Sequence, residues 1–444
     1  MRASRGARES AAGPAAILRR SAAGGGCGGG RSRMTPGGRC RTESRPQLSL
    51  NDDPRLSRYV VVERGPDGTR RLRHTVTWST LPPDAPEEAL RAEFFLAGQE
   101  EEALERRLAS EPTRIALTLV VTWRCNLRCT HCSVLHRLVR REERGLRPGD
   151  FRDFVERWRH RVAPPEGFTL SLVGGEPLLE PDLCSEAVSA VRGGGTARCD
   201  ITTNLAVILQ PAHIELLSRL DAIVVSLDGL EEAHNAQRRP YRDGFDPFRR
   251  TWENLERLVA EGLADRIHVQ GAVRDPYGTI EHFENYQRAL MAIGIRWDRI
   301  SFGAVHPTVR DPAVQRTFLR TLRDPLPRWQ MCCKYRGGRS LTVGPDGGVY
   351  SDFYDYERLG SVGDPPEAIL ERFRALARSM PALRDPTCRA CPVLGCCWGG
   401  CTNARLLVGD RPSEHCGRES LIRTVRRLAE EGRLPEHGAR PRCG

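Results

Sequence analysis

IALTLVVTWRCNLRCTHC, residues 115–132, joins an apolar β-strand to a loop that carries three cysteines. Cys125, Cys129 and Cys132 follow the spacing C-x3-C-x2-C. Three thiolates on one short loop can bind three irons of a [4Fe–4S] cube and leave the fourth iron free. A zinc site is the alternative, but the loop lacks a fourth ligand, because His131 stands directly beside Cys132. The spacing therefore predicts an iron–sulfur centre with an open coordination position.

The region around this loop alternates apolar strands with amphipathic helices. The predicted strands are Ile115–Val121, Phe168–Val173, the segment ending at Asp200–Thr202, Ala222–Ser226, Ile267–Val273 and Ile300–Val305. Helices between successive strands indicate parallel βαβ units. Six strands in about 190 residues suit a partial (β/α)6 barrel of the TIM type better than the eight-fold form. In such folds the chemistry lies at the C-terminal ends of the strands, where the cysteine loop also lies.

The cysteine spacing and its position together resemble a known family. A C-x3-C-x2-C loop after the first strand of a six-strand barrel is similar to that of the radical S-adenosylmethionine (radical SAM) enzymes. The resemblance implies that the free iron chelates the amino and carboxylate groups of SAM, and that an electron from the cluster cleaves the C5′–S bond. The resulting 5′-deoxyadenosyl radical would abstract hydrogen from the substrate. Many members carry an aromatic residue beside the third cysteine, where this chain has His131 and Ser133.

The resemblance extends to a glycine motif at the end of the second strand. Gly174, Gly175, Glu176 and Pro177 are similar to the GGEP-type motif that binds the SAM amino group in this family. Glycines let a backbone approach a ligand closely, and the exposed carbonyls can accept hydrogen bonds from an ammonium group. Glu176 is expected to fix the loop.

Further SAM contacts are implied at the ends of the third and fourth strands. His234–Arg238 resembles the family stretch His-Asp-x-x-Arg, with Asn235 in place of the aspartate. By this resemblance Arg238 would pair with the SAM carboxylate through its guanidinium group. Three polar residues at these strand ends are suited to the ribose hydroxyls or the carboxylate of SAM: Asn204, Ser226 and Asp228. Turn or N-cap roles are the alternative for each of them.

A second group of cysteines lies near the C-terminus. Cys388, Cys391, Cys397 and Cys401 follow the spacing C-x2-C-x5-C-x3-C, and Cys416 comes later. This block resembles the SPASM extension of radical SAM enzymes, which carries two auxiliary [4Fe–4S] clusters. The resemblance implies that one cluster is held by Cys388, Cys391, Cys397 and Cys416.

The ligand set of the other auxiliary cluster departs from the family pattern. SPASM extensions have a cysteine five residues after a glycine, but the residue five after Gly347 is Asp352. A carboxylate can ligate iron, though less well than a thiolate. The resemblance implies that Cys333 and Cys401 are ligands of this cluster. Either Asp352 or Cys332 completes the shell, or a coordination site stays open for a substrate thiol or amide. A pair of structural zinc sites is the alternative.

The chain divides into five predicted segments: a disordered tail (1–46), an N-terminal hairpin-helix extension (47–112), the partial barrel (113–310), a SPASM domain (330–417), and a C-terminal helix and tail (418–444). The extension is a small α+β element that looks like the leader-engaging part of peptide maturases. A packing cap on the barrel is the alternative. The tail is also compatible with untranslated sequence before a start at Met34.

Charge and hydropathy exclude several classes of protein. Residues 1–46 hold ten Arg and two Glu, or +8 of the net charge of +11, so no nucleic-acid partner is expected. No run of about 18 apolar residues exists, so no membrane-spanning helix is expected. No secretory signal is visible, and the oxygen-sensitive chemistry suits the cytoplasm.

The function predicted from these features is that of a radical SAM peptide maturase, which installs a crosslink or an oxidation. Small-molecule dehydrogenases or epimerases, for example acting on aminosugars, are an alternative, as are formylglycine-forming sulfatase maturases. A zinc-binding structural protein is a remote alternative. The expected partners are a peptide or protein substrate and an electron donor of the flavodoxin or ferredoxin type. Substrate should bind near Phe302–His306 and Tyr350–Tyr356, with Asp352 and Asp355 as the nearest acidic groups.

Overall fold

The computed structural model describes residues 50–65, 67–110, 115–132, 134, 145–160, 167–195, 197–241, 244–304, 340–353, 357–398 and 418–434. The first elements form a three-stranded antiparallel sheet with two helices: β1 (Val60–Arg64), β2 (Arg70–His74), β3 (Thr80–Leu81), α1 (Glu87–Ala92) and α2 (Glu100–Ala109). The turn between β1 and β2 contains Gly68 at φ +81°, a left-handed conformation that favours glycine. The predicted hairpin is confirmed.

The barrel follows. Its elements are β4 (Ile115–Thr122), β5 (Leu127–Cys129), α3 (Asp150–Arg159), β6 (Phe168–Gly174), α4 (Pro181–Arg192), β7 (Ala197–Thr203), α5 (Pro211–Ser218), β8 (Ala222–Ser226), α6 (Glu231–Gln237), β9 (Arg238–Pro240), α7 (Pro247–Ala260), β10 (Ile267–Val273), α8 (Ile280–Ala292) and β11 (Ile300–Ala304). Strands β4, β6, β7, β8, β10 and β11 pair in parallel and in chain order. The predicted six-strand partial barrel of the TIM type is confirmed.

Burial of one helix face and of the strands explains why this sequence forms the barrel. In α3 the side chains of Phe151, Phe154, Val155 and Trp158 are buried against the sheet, at the helical spacing the sequence shows. Helices α7 and α8 begin at capping side chains, since Asp246 accepts a hydrogen bond from an amide of the first turn and Thr279 does the same.

Among the described residues, no helix is both long and apolar enough to span a bilayer.

The C-terminal strands extend the barrel sheet, which the sequence did not predict. The last elements are β12 (Ser340–Val343), β13 (Gly348–Tyr350), β14 (Arg358–Ser361), α9 (Pro366–Arg378), α10 (Pro381–Arg384), α11 (Pro386–Arg389), α12 (Leu394–Cys397) and α13 (Arg418–Glu430). Strand β12 pairs in parallel with β4, and β13 and β14 follow antiparallel, giving nine strands in one sheet. The C-terminal segment is therefore joined to the strand that leads into the cysteine loop.

The N-terminal hairpin packs against the short helices that carry the C-terminal cysteines. Tyr59 Oη donates a hydrogen bond to the carbonyl of Arg389 at 2.8 Å. A Cβ atom on Gly395 would lie 2.3 Å from the carbonyl oxygen of Thr75, so the two backbones meet directly. Tyr59 also shares an apolar cluster with Trp398. The sequence suggested a leader-engaging element or a cap on the barrel, and neither interpretation anticipated this contact.

Burial of His74 in this hairpin predicts a pH dependence of stability. Its Nδ1 accepts hydrogen bonds from the amides of Val76 (3.3 Å) and Thr77 (3.2 Å), and burial lowers its pKa from 6.5 to about 4. Between those pH values the unfolded chain binds a proton that the folded chain does not. The free energy of unfolding should therefore fall with decreasing pH, by about 3 kcal/mol from this group.

Urea denaturation at pH 7 and pH 4.5 measures this effect. His74→Asn keeps an acceptor near the position of Nδ1, so the variant should lose less stability than the wild type on acidification. The control is His160→Gln, because His160 is exposed after α3. Equal pH dependence of His74→Asn and the wild type would contradict the prediction.

Candidate functional site

The loop after β4 presents the three predicted cysteines, and a short ribbon holds it in place. Cys125, Cys129 and Cys132 are free thiols and partly buried. Strand β5 pairs antiparallel with β9, which sets Cys129 opposite Arg238. The Tyr241 amide donates to the carbonyl of Asn126 at 3.0 Å, which continues this pairing. The loop is thus fixed on both sides, by β4 and by β9.

Nitrogen donors surround two of the sulfur atoms. The amide of Leu127 donates to Cys125 Sγ at 3.4 Å, and Asn204 Nδ2 donates to the same sulfur at 3.7 Å. Arg238 Nη1 lies 3.9 Å from Cys129 Sγ. Such donors stabilise negative charge on sulfur.

Burial keeps the thiols protonated in the metal-free chain. It raises the pKa of Cys125 to about 12 and that of Cys129 to about 11, and it raises the pKa of Cys132 as well. Metal coordination deprotonates a thiol outright, so loading this loop releases protons.

The donor set fits an iron–sulfur cluster. Within the described part of the chain, no three His, Cys, Asp or Glu side chains form a site for one metal ion. A [4Fe–4S] cube does not require this convergence, because each thiolate binds a different iron. Three free thiols on one loop, two of them with nitrogen donors at the sulfur, are therefore suited to such a cube.

Gly174 and Gly175 allow the loop after β6 to contact the cysteine loop. A Cβ on Gly174, whose φ is +151°, would lie 2.3 Å from the carbonyl oxygen of Thr122. A Cβ on Gly175 would lie 2.2 Å from the carbonyl oxygen of Arg124. The Gly175 amide donates to Thr122 O at 2.7 Å. From the sequence, these glycines were expected because SAM approaches the backbone closely. In the structure they also let this loop contact the backbone of the cysteine loop.

Gly175→Ala should therefore displace the cysteine loop and impair cluster loading. The added methyl group would meet backbone, which cannot move aside as a flexible side chain can. Iron content after anaerobic reconstitution should fall well below that of the wild type. Gly193→Ala is the matched control, because Gly193 ends α4 in a right-handed conformation with its nearest contact at 3.4 Å. Equal iron content in both variants would contradict the prediction.

Glu176 is a fully buried carboxylate that connects two segments of the site. It accepts hydrogen bonds from Thr203 Oγ1 at 2.6 Å, from the Asn204 amide at 2.7 Å and from the Leu178 amide at 3.0 Å. Burial raises the pKa of Glu176 to about 7. Pro177, the next residue, begins a short 3-10 helix. Glu176 thus ties the glycine loop to the end of β7, where Asn204 reaches Cys125.

Asp228 and Arg238 form a buried ion pair beside Cys129. Arg238 donates from Nε and Nη2 to the two carboxylate oxygens, each at 2.9 Å. Ala272 donates its amide to Asp228 at 2.8 Å, and His131 Nε2 lies 3.7 Å from the same carboxylate. Burial alone would raise the pKa of Asp228, but the Arg238 charge outweighs it and the pKa is lowered. The sequence assigned both residues to SAM, and the structure bonds them to each other.

The structure brings most of the predicted barrel residues into two groups around the cysteine loop. One links Cys125 to Asn204 and Glu176, and the other links Cys129 to Arg238 and Asp228. Ser226, the last residue of β8, is partly exposed. His131 Nδ1 is buried and has no hydrogen-bond partner among the described residues.

Sequence reasoning missed Asn126, which lies inside the cysteine loop. Its Nδ2 donates to the carbonyl of Ala206 at 2.6 Å, and its Oδ1 accepts from Asn204 Nδ2 at 2.9 Å. Asn126 therefore connects the loop to the segment after β7. An asparagine between two predicted ligand cysteines was the only local signal for this role.

The C-terminal candidates are only partly described. Cys391 is buried, Cys388 and Cys397 are partly buried, and all three lie on or beside the short helices α11 and α12. Asp352 is partly buried, and the ring of the next residue, Phe353, lies 5.8 Å from that of Trp123 at the start of the cysteine loop. The remaining candidates lie outside the described residues: Cys332, Cys333, Asp355, Cys401 and Cys416.

Comparison with known proteins agrees with this geometry. Residues 119–290 match the sequence model of the Radical SAM superfamily. GTP 3′,8-cyclase 2 of Mycobacterium bovis is 33% identical over 126 residues, which are 27% of this chain and 33% of that protein. The protein of the same name from Mycobacterium tuberculosis gives the same values. The chain thus spans about a third of the length of these curated relatives.

Solved structures share the fold at low sequence identity. The anSMEcpe structure with bound AdoMet has a TM-score of 0.52 at 16% identity and covers 73% of this chain and 100% of its own. Streptococcus suis SuiB bound to S-adenosylmethionine has a TM-score of 0.51 at 14% identity and covers 81% of this chain and 97% of its own. Residues 119–290 therefore form a radical SAM domain.

Proposed function

We propose that this chain is a radical SAM enzyme that cleaves S-adenosylmethionine reductively and abstracts hydrogen from a peptide substrate, to install a crosslink or an oxidation. The observation that carries the proposal is the loop with Cys125, Cys129 and Cys132, placed directly after the first barrel strand in a domain that matches the superfamily. When bound, the cluster and SAM supply a 5′-deoxyadenosyl radical.

The chain's own residues bind and orient these groups. Cys125, Cys129 and Cys132 would hold the cluster, which would supply an iron without a protein ligand for SAM. The backbone of Gly174–Pro177 receives the SAM amino group, and Glu176 holds that loop against β7. Arg238, oriented by its two hydrogen bonds to the Asp228 carboxylate, presents Nη1 toward the cysteine loop.

A peptide substrate is supported by what related folds bind. The structure of SuiB with its precursor peptide SuiA has a TM-score of 0.50 at 14% identity, and anSMEcpe with the Cp18Cys peptide has a TM-score of 0.50 at 17% identity. The likeness to GTP 3′,8-cyclase 2 is confined to 126 residues and makes GTP the natural small-molecule probe.

Incubation of the anaerobically reconstituted full chain with SAM and a reductant tests the proposal. 5′-Deoxyadenosine should form, and a short peptide encoded beside the gene should lose two hydrogen atoms by mass spectrometry. Turnover of GTP or an aminosugar without change in the peptide would favour the small-molecule alternative. A colourless, iron-free preparation after reconstitution would exclude both enzymatic readings.

The C-terminal cysteines are proposed to hold auxiliary clusters that accept the electron left when a substrate radical becomes product. Cys391→Ala should therefore keep SAM cleavage but lose peptide product. Cys396→Ala is the matched control, because Cys396 is fully buried in an apolar cluster and does not match the cysteine pattern. Product formation at the wild-type rate by Cys391→Ala would count against the proposal.

A further inference from the structure

The ribbon formed by β5 and β9 has two different faces. Alternation along each strand places Cys129 and Arg238 on the inner face, where they are partly buried. It places Arg128 and Arg239 on the outer face, where both are exposed and lie directly opposite each other in the register. Below, "outer face" means Arg128, Arg239 and the neighbouring Tyr241.

Two arginines opposite each other in a ribbon are unfavourable for the fold itself. Like charges in this position destabilise a strand pair. Among the described residues, no carboxylate forms an ion pair with Arg128 or Arg239, whereas Arg124 on the same loop pairs with Glu180. The Arg128 guanidinium lies 4.2 Å from the centre of the Tyr241 ring. Within the described part of the chain, the positive charge of the outer face is thus not neutralised by a carboxylate.

Apolar exposure accompanies this charge. Tyr241 is 60% exposed and Ile208 is 66% exposed, the two highest values for large apolar side chains in the described chain. Ile208 lies two residues after Ala206, whose carbonyl accepts the hydrogen bond from Asn126 in the cysteine loop. Exposed aromatic and arginine side chains together are typical of the energetic centres of protein interfaces.

We propose that the outer face docks an acidic one-electron carrier protein of the flavodoxin or ferredoxin class. This inference rests on the proposed function. The carrier loses one electron and the cluster gains it, without proton transfer, across a ribbon whose inner face holds Cys129. Substrate is the less suitable occupant, because the outer side chains point to the opposite side of the ribbon from the thiol that faces the barrel.

A charge series on the outer face tests the docking with purified flavodoxin as the probe. Arg128→Glu removes the net charge of the arginine pair, and Arg128→Glu/Arg239→Glu reverses it. Arg128→Gln/Arg239→Gln serves as a milder pair should the reversal disturb folding. Arg198→Glu is the control, since Arg198 is exposed near the N-terminal end of β7, far from the cysteine loop.

Two readouts are needed on the reconstituted full chain at low and high salt. One is the affinity for oxidised flavodoxin, and the other is the stopped-flow rate of cluster reduction by flavodoxin hydroquinone. The double reversal should lower both by about tenfold or more at low salt, and the difference should shrink at high salt. Arg198→Glu should match the wild type. Photoreduced 5-deazariboflavin, a small uncharged reductant, should reduce every variant equally.

Wild-type affinity and reduction rate in the double-reversal variant would overturn the docking proposal. Loss of peptide affinity in that variant, with flavodoxin affinity unchanged, would also overturn it and assign the outer face to substrate. Failure of the proposed function has a different signature: the wild type then forms no 5′-deoxyadenosine with photoreduced deazaflavin, and the docking proposal fails with it.

Discussion

Replacing Cys129 with alanine should reduce 5′-deoxyadenosine formation to background while the barrel stays folded. Cys129 is the last residue of β5, and the pairing of β5 with β9 uses backbone groups that alanine also provides. In the proposed function the thiol contributes a ligand, and a cube with only two protein thiolates on this loop would lack one of its anchors. Nucleoside analysis with photoreduced deazaflavin, iron content and electron paramagnetic resonance of the reduced protein measure the effect.

Cys199→Ala provides the matched comparison. Cys199 is fully buried on β7 in the barrel core, in the N-terminal half of the strand and so away from the cysteine loop. Its removal should cost a little stability and leave iron content and SAM cleavage unchanged. SAM cleavage by Cys129→Ala at a rate near that of Cys199→Ala would refute the assignment of Cys129 as a cluster ligand.

The six barrel strands could be predicted because parallel strands are buried on both faces. Such strands appear in a sequence as continuous apolar runs, which Ile115–Val121 and Ile267–Val273 illustrate. In the structure, β4 ends one residue later than predicted, and β10 has the predicted bounds. The spacing of the cysteines then located the candidate functional loop at a strand end.

The pairing of β12 with β4 could not be predicted from local patterns. Ser340–Val343 has only four residues, two of them polar, and it lies more than 200 residues after the strand that it joins. The contact of the hairpin with α12 is of the same kind, since nothing near Thr75 or Gly395 in the sequence points to the other. Such contacts depend on the whole chain reaching one packed arrangement.

Contacts within the candidate site were also not predictable from local sequence patterns. Asp228 and Arg238 were each assigned to SAM, because each was interpreted from the residues beside it in the sequence. Their separation of ten residues hides the pairing, which forms only when β9 folds back beside the end of β8. Likewise, the glycine motif predicted a tight loop but not that Gly175 contacts the carbonyl of Arg124.

Asp228→Asn should produce the largest loss of stability among the site variants. The Asp228 side chain is fully buried and that of Arg238 is only 11% exposed, so the variant leaves a buried guanidinium without its countercharge. Removing one partner of a buried pair costs about 3–5 kcal/mol in the free energy of unfolding. Urea denaturation of the metal-free chain measures it. Arg249→Ala, which breaks an exposed pair with Glu253, should cost at most about 0.5 kcal/mol.

A double-mutant cycle separates the ion pair from the roles of its members. Asp228→Asn/Arg238→Gln removes both charges, so it should be more stable than the sum of the two single variants predicts. Additive free energies would contradict the pairing. Repeating the cycle on the reconstituted chain with SAM then tests the role assigned to Arg238. If Arg238 leaves Asp228 for the SAM carboxylate, the coupling falls when SAM is added, and Arg238→Gln weakens SAM binding. If Arg238 serves only to neutralise Asp228, the coupling is unchanged by SAM.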